Sequence, residues 1–261
     1  MGGVTTLFVI PLWVDLVAVG VGALQGALFA SGFRDRRLDL LGVAIIGIAT
    51  GFGGGILRDV LLGQLPAALR SNWYVPMAIG AALLGMLLEH IFSRLGALIT
   101  VLDAVTIGLF GAIGTTKALA FGVPPVPAVF IGVLSAVGGS IVRDLLLGVP
   151  IALMQVGSLY AIAAVAGTSV LAVLVAFGVN VTIAASICVA VTFTVRVLAV
   201  LLNWSLPEQQ RLTWQPRRVR RRSELPLSVT QEIKIAGAAN GNSGVSGGRA
   251  RKSGRNRGSG R

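Results

Sequence analysis

GFGGGILRDVLLG (Gly51–Gly63) interrupts a long apolar run with three consecutive glycines and an Arg-Asp pair. AVGGSIVRDLLLG (Ala136–Gly148) repeats the interruption at an offset of 85. Each glycine weakens a helix by about 1 kcal/mol relative to alanine. A charge at the centre of a bilayer costs about 3 kcal/mol or more. An apolar chain that does both twice, in the same order, has a duplicated reason for it, and that duplication decides the fold.

The match extends outward from the two stretches. Asp15 and Gly26 correspond to Asp103 and Gly114 at an offset of 88. Beyond the first loop the offset is 85, pairing Gly47, Gly53, Gly54, Arg58, Asp59 and Gly63 with Gly132, Gly138, Gly139, Arg143, Asp144 and Gly148. Apolar runs and breakers predict seven spans, over 12–32, 38–62, 74–92, 96–121, 126–148, 155–177 and 180–203. The connectors carry the punctuation, for example RDRR (Arg34–Arg37) and FGVPPVP (Phe121–Pro127). Three spans followed by three more insert with opposite orientations, an arrangement that places functional sites between the halves. The predicted fold is an all-α membrane protein. Its seven transmembrane helices form a 3+3 inverted repeat plus one extra helix, with kinked second and fifth helices. The repeats occupy 1–95 and 96–178, the seventh helix 179–204, and a basic disordered cytoplasmic tail 205–261.

With 54% hydrophobic residues, 12% charged residues and a mean hydropathy of +0.84, the chain is excluded from the soluble globular class. The spans are long enough for a hydrocarbon core that needs about 20 residues of helix. The N-terminal MGGVTTLFVIPLWVD lacks a basic n-region and is read as retained. Cys188 is the one cysteine, so there is no internal disulfide or thiolate cluster, and it reads as a small core residue. His90 is the one histidine and reads as a loop or helix-end residue. Neither a metal nor a cofactor is expected. The absence of a Ser-His-Asp set and of a phosphate loop argues against an enzyme.

The net charge of +12 is concentrated late: thirteen Lys/Arg and three Glu lie from Ser205 onward, against nine Lys/Arg and seven Asp/Glu before it. The tail, with RRVRRR (Arg217–Arg222), reads as a solvated cytoplasmic segment that fixes orientation. Its basicity also suits anionic lipid or nucleic acid. Seven spans then put the N-terminus outside, with Arg34, Arg36, Arg37 and Arg94 inside and Arg70 outside.

Two readings of the glycines compete. Gly47, Gly51 and Gly55, with Gly132, Ala136 and Ser140, form small-xxx-small faces for close helix contact. That stripe does not include Gly53 with Gly54, or Gly138 with Gly139. Leu40–Leu69 is moreover thirty residues long, about 45 Å as a straight helix. A kink at Gly53, Gly54, Gly55 and at Gly138, Gly139, Ser140, lining a pathway, accounts for both. Alanine at Gly53 and Gly54 is then expected to alter conduction and to spare folding. The charges are equally two-sided. Arg58 and Arg143 either snorkel to an interface as anchors or reach a shared polar pathway beside Asp59 and Asp144, with Asp15 and Asp103 as leading counter-ions. Lys117 has no equivalent in the first repeat, where Phe29 stands; it reads as interfacial or as an asymmetry at the pathway.

Duplicated GGG-x-x-R-D-x-x-L-G and GG-S-x-x-R-D-x-x-L-G, each preceded by an Asp-led span, resemble the prokaryotic trimeric intracellular cation channels. Their repeated unit is also known as the glycine transporter domain. The resemblance spans about Val14–Leu202. It implies a homotrimer in the prokaryotic plasma (inner) membrane, with one pore inside each protomer and walls from the first, second, fourth and fifth helices. It also implies kinks at the glycine motifs, although Ser140 departs from a full triplet. The partners implied are membrane lipid and permeant ions such as potassium. The expected function is thus a monovalent cation (potassium-type) channel. The alternative is a secondary transporter of a small solute such as glycine, and a third reading is a membrane scaffold whose tail binds anionic lipid or nucleic acid. For a channel, an unpaired arginine at 4 Å would repel a cation by roughly 4 kcal/mol at an effective dielectric of 20, so the arginines must be neutralised or act as a gate.

Overall fold

Helix boundaries follow local chemistry. Asp39 caps α2 (Leu40–Leu61), its carboxylate accepting the Gly42 N–H at 2.7 Å. Proline at the first turn starts α5 (Pro125–Leu147) without wasting a backbone donor. Asn180 accepts the Thr182 N–H at 2.9 Å to start α7 (Val181–Leu201). Gly63 and Gly148, repeat mates, stand just past α2 and α5 with φ of 64° and 62°, the left-handed region that ends a helix without a Cβ penalty. The remaining helices are α1 (Leu12–Ser31), α3 (Tyr74–Ile91), α4 (Leu95–Ala120) and α6 (Tyr160–Ala176). Short 3₁₀ turns, Ala67–Leu69 and Ala152–Met154, follow α2 and α5.

The computed structural model describes residues 10–32, 38–91, 95–154 and 160–202. Arg34, Arg36, Arg37, Arg94, the side chain of His90 and the basic tail lie outside the described residues. Within them every regular element is helical, seven α-helices with no strand. Five segments are long and apolar enough to cross a membrane: α1, α2, Leu98–Ala120 of α4, α5 and α7. Tyr74–Leu88 and α6 are shorter apolar helices, the third members of the two repeats. Many large apolar side chains face outward, Leu40, Trp13, Val126 and Leu201 among them, as a lipid-facing surface requires.

The inversion of the repeat is visible where α2 meets α5. A Cβ on Gly139 would run into the carbonyl of Thr50, and one on Gly54 into the carbonyl of Ser135. A Cβ on Gly53 would lie 3.1 Å from the Gly139 Cα. Rising numbers on α2 meet falling numbers on α5, so the two repeat-mate helices cross antiparallel, backbone to backbone. On its other face α2 packs α1: Cβ atoms on Gly47 and Gly51 would lie 2.8 and 2.7 Å from the carbonyls of Ala23 and Val19. The two glycine patterns thus serve two neighbours.

Both α2 and α5 stay helical through their glycine clusters, and Gly53 with Gly54 and Gly138 with Gly139 let the two helices pack closely. An added Cβ at Gly53 or Gly54 would meet the backbone of α5. Gly55 differs from its neighbours. The nearest atoms beyond its own helix backbone, Arg58 Nη2 of the same helix and Phe110 Cε1 of α4, would both be 3.9 Å from an added Cβ. Ser140 bonds within its own helix, its hydroxyl donating to the Val137 carbonyl at 2.8 Å. Cys188 is buried beside Ala112, Leu171 and Ala184, the core role expected of it.

Candidate functional site

The antiparallel pairing of α1 with α2 brings Asp15, near the start of α1, to Arg58, near the end of α2. Arg58 Nη1 stands 3.3 Å from Asp15 Oδ1. Its Nε and Nη2 donate to Asp59 Oδ1 and Oδ2 at 2.7 and 3.2 Å, a bidentate grip. Lys117, from the end of α4, reaches the same Asp59 Oδ1 at 2.6 Å. Asp59 Oδ2 also accepts the Ala67 N–H at 2.7 Å, tying the charge cluster to the 3₁₀ turn. Tyr74, at the start of α3, donates its hydroxyl to Asp15 Oδ2 at 2.8 Å. Two bases and two acids therefore balance, and a cavity of about 500 Å³ opens onto them, lined in part by Asp15, Arg58, Arg70, Tyr74 and Lys117.

The repeat builds a second cluster with the same parts in different hands. Arg143 Nε and Nη2 lie 2.9 and 2.8 Å from Asp144 Oδ1. Asp144 Oδ2 accepts the Ala152 N–H at 2.8 Å, as Asp59 does from Ala67. Tyr160 donates to Asp103 Oδ1 at 3.0 Å, the counterpart of Tyr74 on Asp15. The differences lie in the other two partners. Where Lys117 approaches Asp59 in the first cluster, its repeat mate Phe29 lies under the Arg143 guanidinium, 4.0 Å from ring centroid to Cζ. Asp103 takes its ion pair from Arg196 of α7, Nη2 to Oδ2 at 3.4 Å, and a hydrogen bond from Gln25 of α1 at 3.3 Å.

Asp103, Phe110 and Lys117 are spaced by seven residues and share one face of α4. Asp103 and Lys117 are then about 21 Å apart along the axis, one in each cluster. Phe110 lies between them, 2% exposed. Its repeat mate is Gly22, and a Cβ on Gly22 would lie 3.3 Å from Phe110 Cε2. The ring fills the space that Gly22 leaves open, close also to Gly54. The chain thus holds two charge-balanced clusters separated by a tight waist, where Phe110 meets Gly22 and Gly54 and the buried side chains of Thr50, Thr106 and Ser135 lie close by.

Of the residues singled out from sequence, Asp15, Arg58, Asp59 and Lys117 come together in the first cluster. Asp103, Arg143 and Asp144 belong to the second. Arg58 and Arg143 are 1% and 3% exposed; both are enclosed by protein, which the anchoring reading does not provide. Asp15 meets Arg58 as expected. Asp103 takes its direct ion pair from Arg196, while Arg143, close enough to act on it electrostatically, bonds directly to Asp144 and lies over Phe29. Lys117 is likewise drawn inward to Asp59. Sequence reasoning missed Tyr74, Tyr160, Phe110, Gln25 and Arg196. The chain has two tyrosines and both land on the paired aspartates, and Arg196 is the one basic residue within 180–203; both signals were present.

The profile of the glycine transporter domain matches this chain twice, over residues 12–90 and 100–176. A UPF0126 membrane protein of Deinococcus radiodurans is 40% identical over 157 residues, which cover 59% of this chain and 72% of that one. The UPF0126 inner membrane protein YadS of Escherichia coli K12 is 33% identical over 199 residues, covering 75% and 94% of the two chains. The crystal structure of the trimeric intracellular cation channel orthologue from Rhodobacter sphaeroides superposes with a TM-score of 0.68 at 31% identity, covering 74% of this chain and 98% of that one. Two matched repeats, crossing at their glycines and bracketed by equivalent Arg-Asp pairs, place this multi-pass membrane protein in the trimeric intracellular cation channel family, whose repeated unit is the glycine transporter domain.

Proposed function

We propose that the protein is a monovalent cation channel of potassium type, assembled as a homotrimer with one pathway through each protomer. The observation that carries this reading is the pair of charge-balanced clusters about 21 Å apart along α4, with the α2–α5 crossing and Phe110 between them. Each arginine of the two clusters is held by a carboxylate, so the repulsion of roughly 4 kcal/mol that a bare arginine would exert on a cation at 4 Å is offset. Similarity to the solved Rhodobacter sphaeroides channel supports the same reading. The pathway runs from the cavity at Asp15 and Lys117, past the waist, to Asp103 and Asp144. Phe110 closes it in the arrangement described, an apolar constriction of the kind that gates by excluding water. The bilayer is the prokaryotic inner membrane, with the N-terminus outside and the C-terminus cytoplasmic. Reversal potentials of the purified protein in planar bilayers under a KCl gradient test the proposal. A current that reverses near the potassium equilibrium potential is the expected result, and one that reverses near the chloride potential would overturn the proposal.

A second reading draws on the description of the matching repeat as a glycine transporter domain. A carrier would use the first cavity, where guanidinium and carboxylate stand side by side, to hold a zwitterion. Saturable glycine uptake into proteoliposomes, with no current under the KCl gradient, would favour it over the channel.

A further inference from the structure

The seventh helix stands outside the repeat, and the repeat shows what it contributes. In the first cluster Arg58 and Lys117 balance Asp15 and Asp59. The second cluster receives Arg143, Asp103 and Asp144 from the matching positions, but the position equivalent to Lys117 is Phe29. Those three groups alone leave one negative charge in excess. Arg196 cancels it from α7, so that both clusters reach neutrality, one with a base inside the repeat and the other with a base brought from outside it.

The two bases are held differently. Lys117 Nζ is 2.6 Å from Asp59, whereas Arg196 Nη2 is 3.4 Å from Asp103, the longest ion pair among the described residues. Arg196 Nε is buried and makes no hydrogen bond among the described residues. The guanidinium lies 4.7 Å from the Tyr160 ring centroid, and Tyr160 donates to the same Asp103. A guanidinium offers five donors, and here one of them reaches the carboxylate. The helix that carries it contacts α4 across Gly108 and Val189 and α6 across Gly167 and Thr192, so small residues seat it against both neighbours of Asp103.

We propose that Arg196 is the neutralising charge of the second mouth: it cancels Asp103, as Lys117 cancels Asp59 at the first, and so sets how strongly that mouth draws permeant cations. The proposal rests on the channel reading above.

Single-channel recordings of the full chain in symmetrical KCl test it, because an exposed carboxylate concentrates cations at low salt and is screened at roughly 1 M. Arg196→Gln should raise the cation conductance about threefold or more at roughly 0.02 M KCl and leave it nearly unchanged at roughly 1 M. Arg196→Lys should stay close to wild type. Adding Phe29→Lys to Arg196→Gln should return the low-salt conductance to wild type, because the charge is restored from the position that supplies it in the other repeat. If Arg196→Gln fails to assemble, Phe29→Lys alone serves: one extra positive charge should lower the low-salt conductance by about twofold or more. Unchanged low-salt conductance in Arg196→Gln, or in Phe29→Lys where that variant is used, overturns the proposal. So does a change that the charge at position 29 fails to reverse. Lys117→Gln separates this failure from that of the channel reading. If it shifts the low-salt conductance while Arg196→Gln does not, Arg196 alone is misassigned. If the wild-type protein passes no cations, the channel reading falls and takes this proposal with it.

Discussion

Alanine at Gly54 tests the crossing of α2 and α5 directly. The added methyl would be driven into the Ser135 carbonyl of the partner helix, and backbone cannot rotate aside as a side chain can. Overpacking of this kind costs about 1–3 kcal/mol, and a backbone obstacle puts the figure near the upper end. Alanine returns about 1 kcal/mol of helix propensity, leaving a net loss of about 1–2 kcal/mol. For a domain of this size that is a fall in Tm of about 2–8 °C. Gly139→Ala pushes on the Thr50 carbonyl from the other side of the same contact, so the double variant should not be additive. Gly55→Ala is the internal control: nothing non-local lies closer than 3.9 Å to its added Cβ, so it keeps the propensity gain without the collision. Thermal unfolding in detergent, followed by tryptophan fluorescence and paired with size-exclusion elution, reads all three. Gly54→Ala and Gly139→Ala should unfold earlier than wild type, and Gly55→Ala at the same temperature or later. The reverse order would refute the packing argument.

Asp59→Asn removes the acid shared by Arg58 and Lys117; it should destabilise the protein by about 3–5 kcal/mol and, in whatever folds, reduce cation current by leaving two bases underbalanced. Tyr74→Phe and Tyr160→Phe each delete a hydrogen bond to a buried carboxylate, a loss of about 1.5–3 kcal/mol. Matched falls in Tm would confirm their equivalence across the repeat. Phe110→Ala should cost about 3–5 kcal/mol of stability and increase cation current by emptying the waist; a folded variant with wild-type current would place the pathway elsewhere. Mixed trimers containing one inactive subunit should keep about two thirds of the current if each protomer holds its own pathway, and all-or-none loss would point to a shared one.

Much of the fold was legible because membrane helices write their constraints in sequence. Apolar run length marked the spans, and the duplicated G-G-x-x-x-R-D pattern marked two units whose odd number of spans requires inversion. Asp15, Arg58, Asp59, Arg143 and Asp144 were legible for a related reason: charges in an apolar run need partners, and matched positions narrow the choice. The glycines were half legible. Their spacing announced close contact, but a one-dimensional pattern does not say with which neighbour. Gly47 and Gly51 turn out to face α1, while Gly53 and Gly54 face α5.

What the sequence determined by itself, then, is whatever depends on composition and internal symmetry: seven apolar helices, two inverted halves, and a pair of buried Arg-Asp steps. What the tertiary structure decided is which charge answers which. Asp103 is paired by Arg196, a residue 93 positions away on a helix outside the repeat, and Lys117 crosses from α4 to Asp59 on α2. Phe110 closes on the space opposite Gly22. Such pairings depend on how separate helices are rotated against one another, and that rotation is set by backbone contacts at the glycine crossings. Helical periodicity fixes the faces along one helix; only packing decides which faces meet.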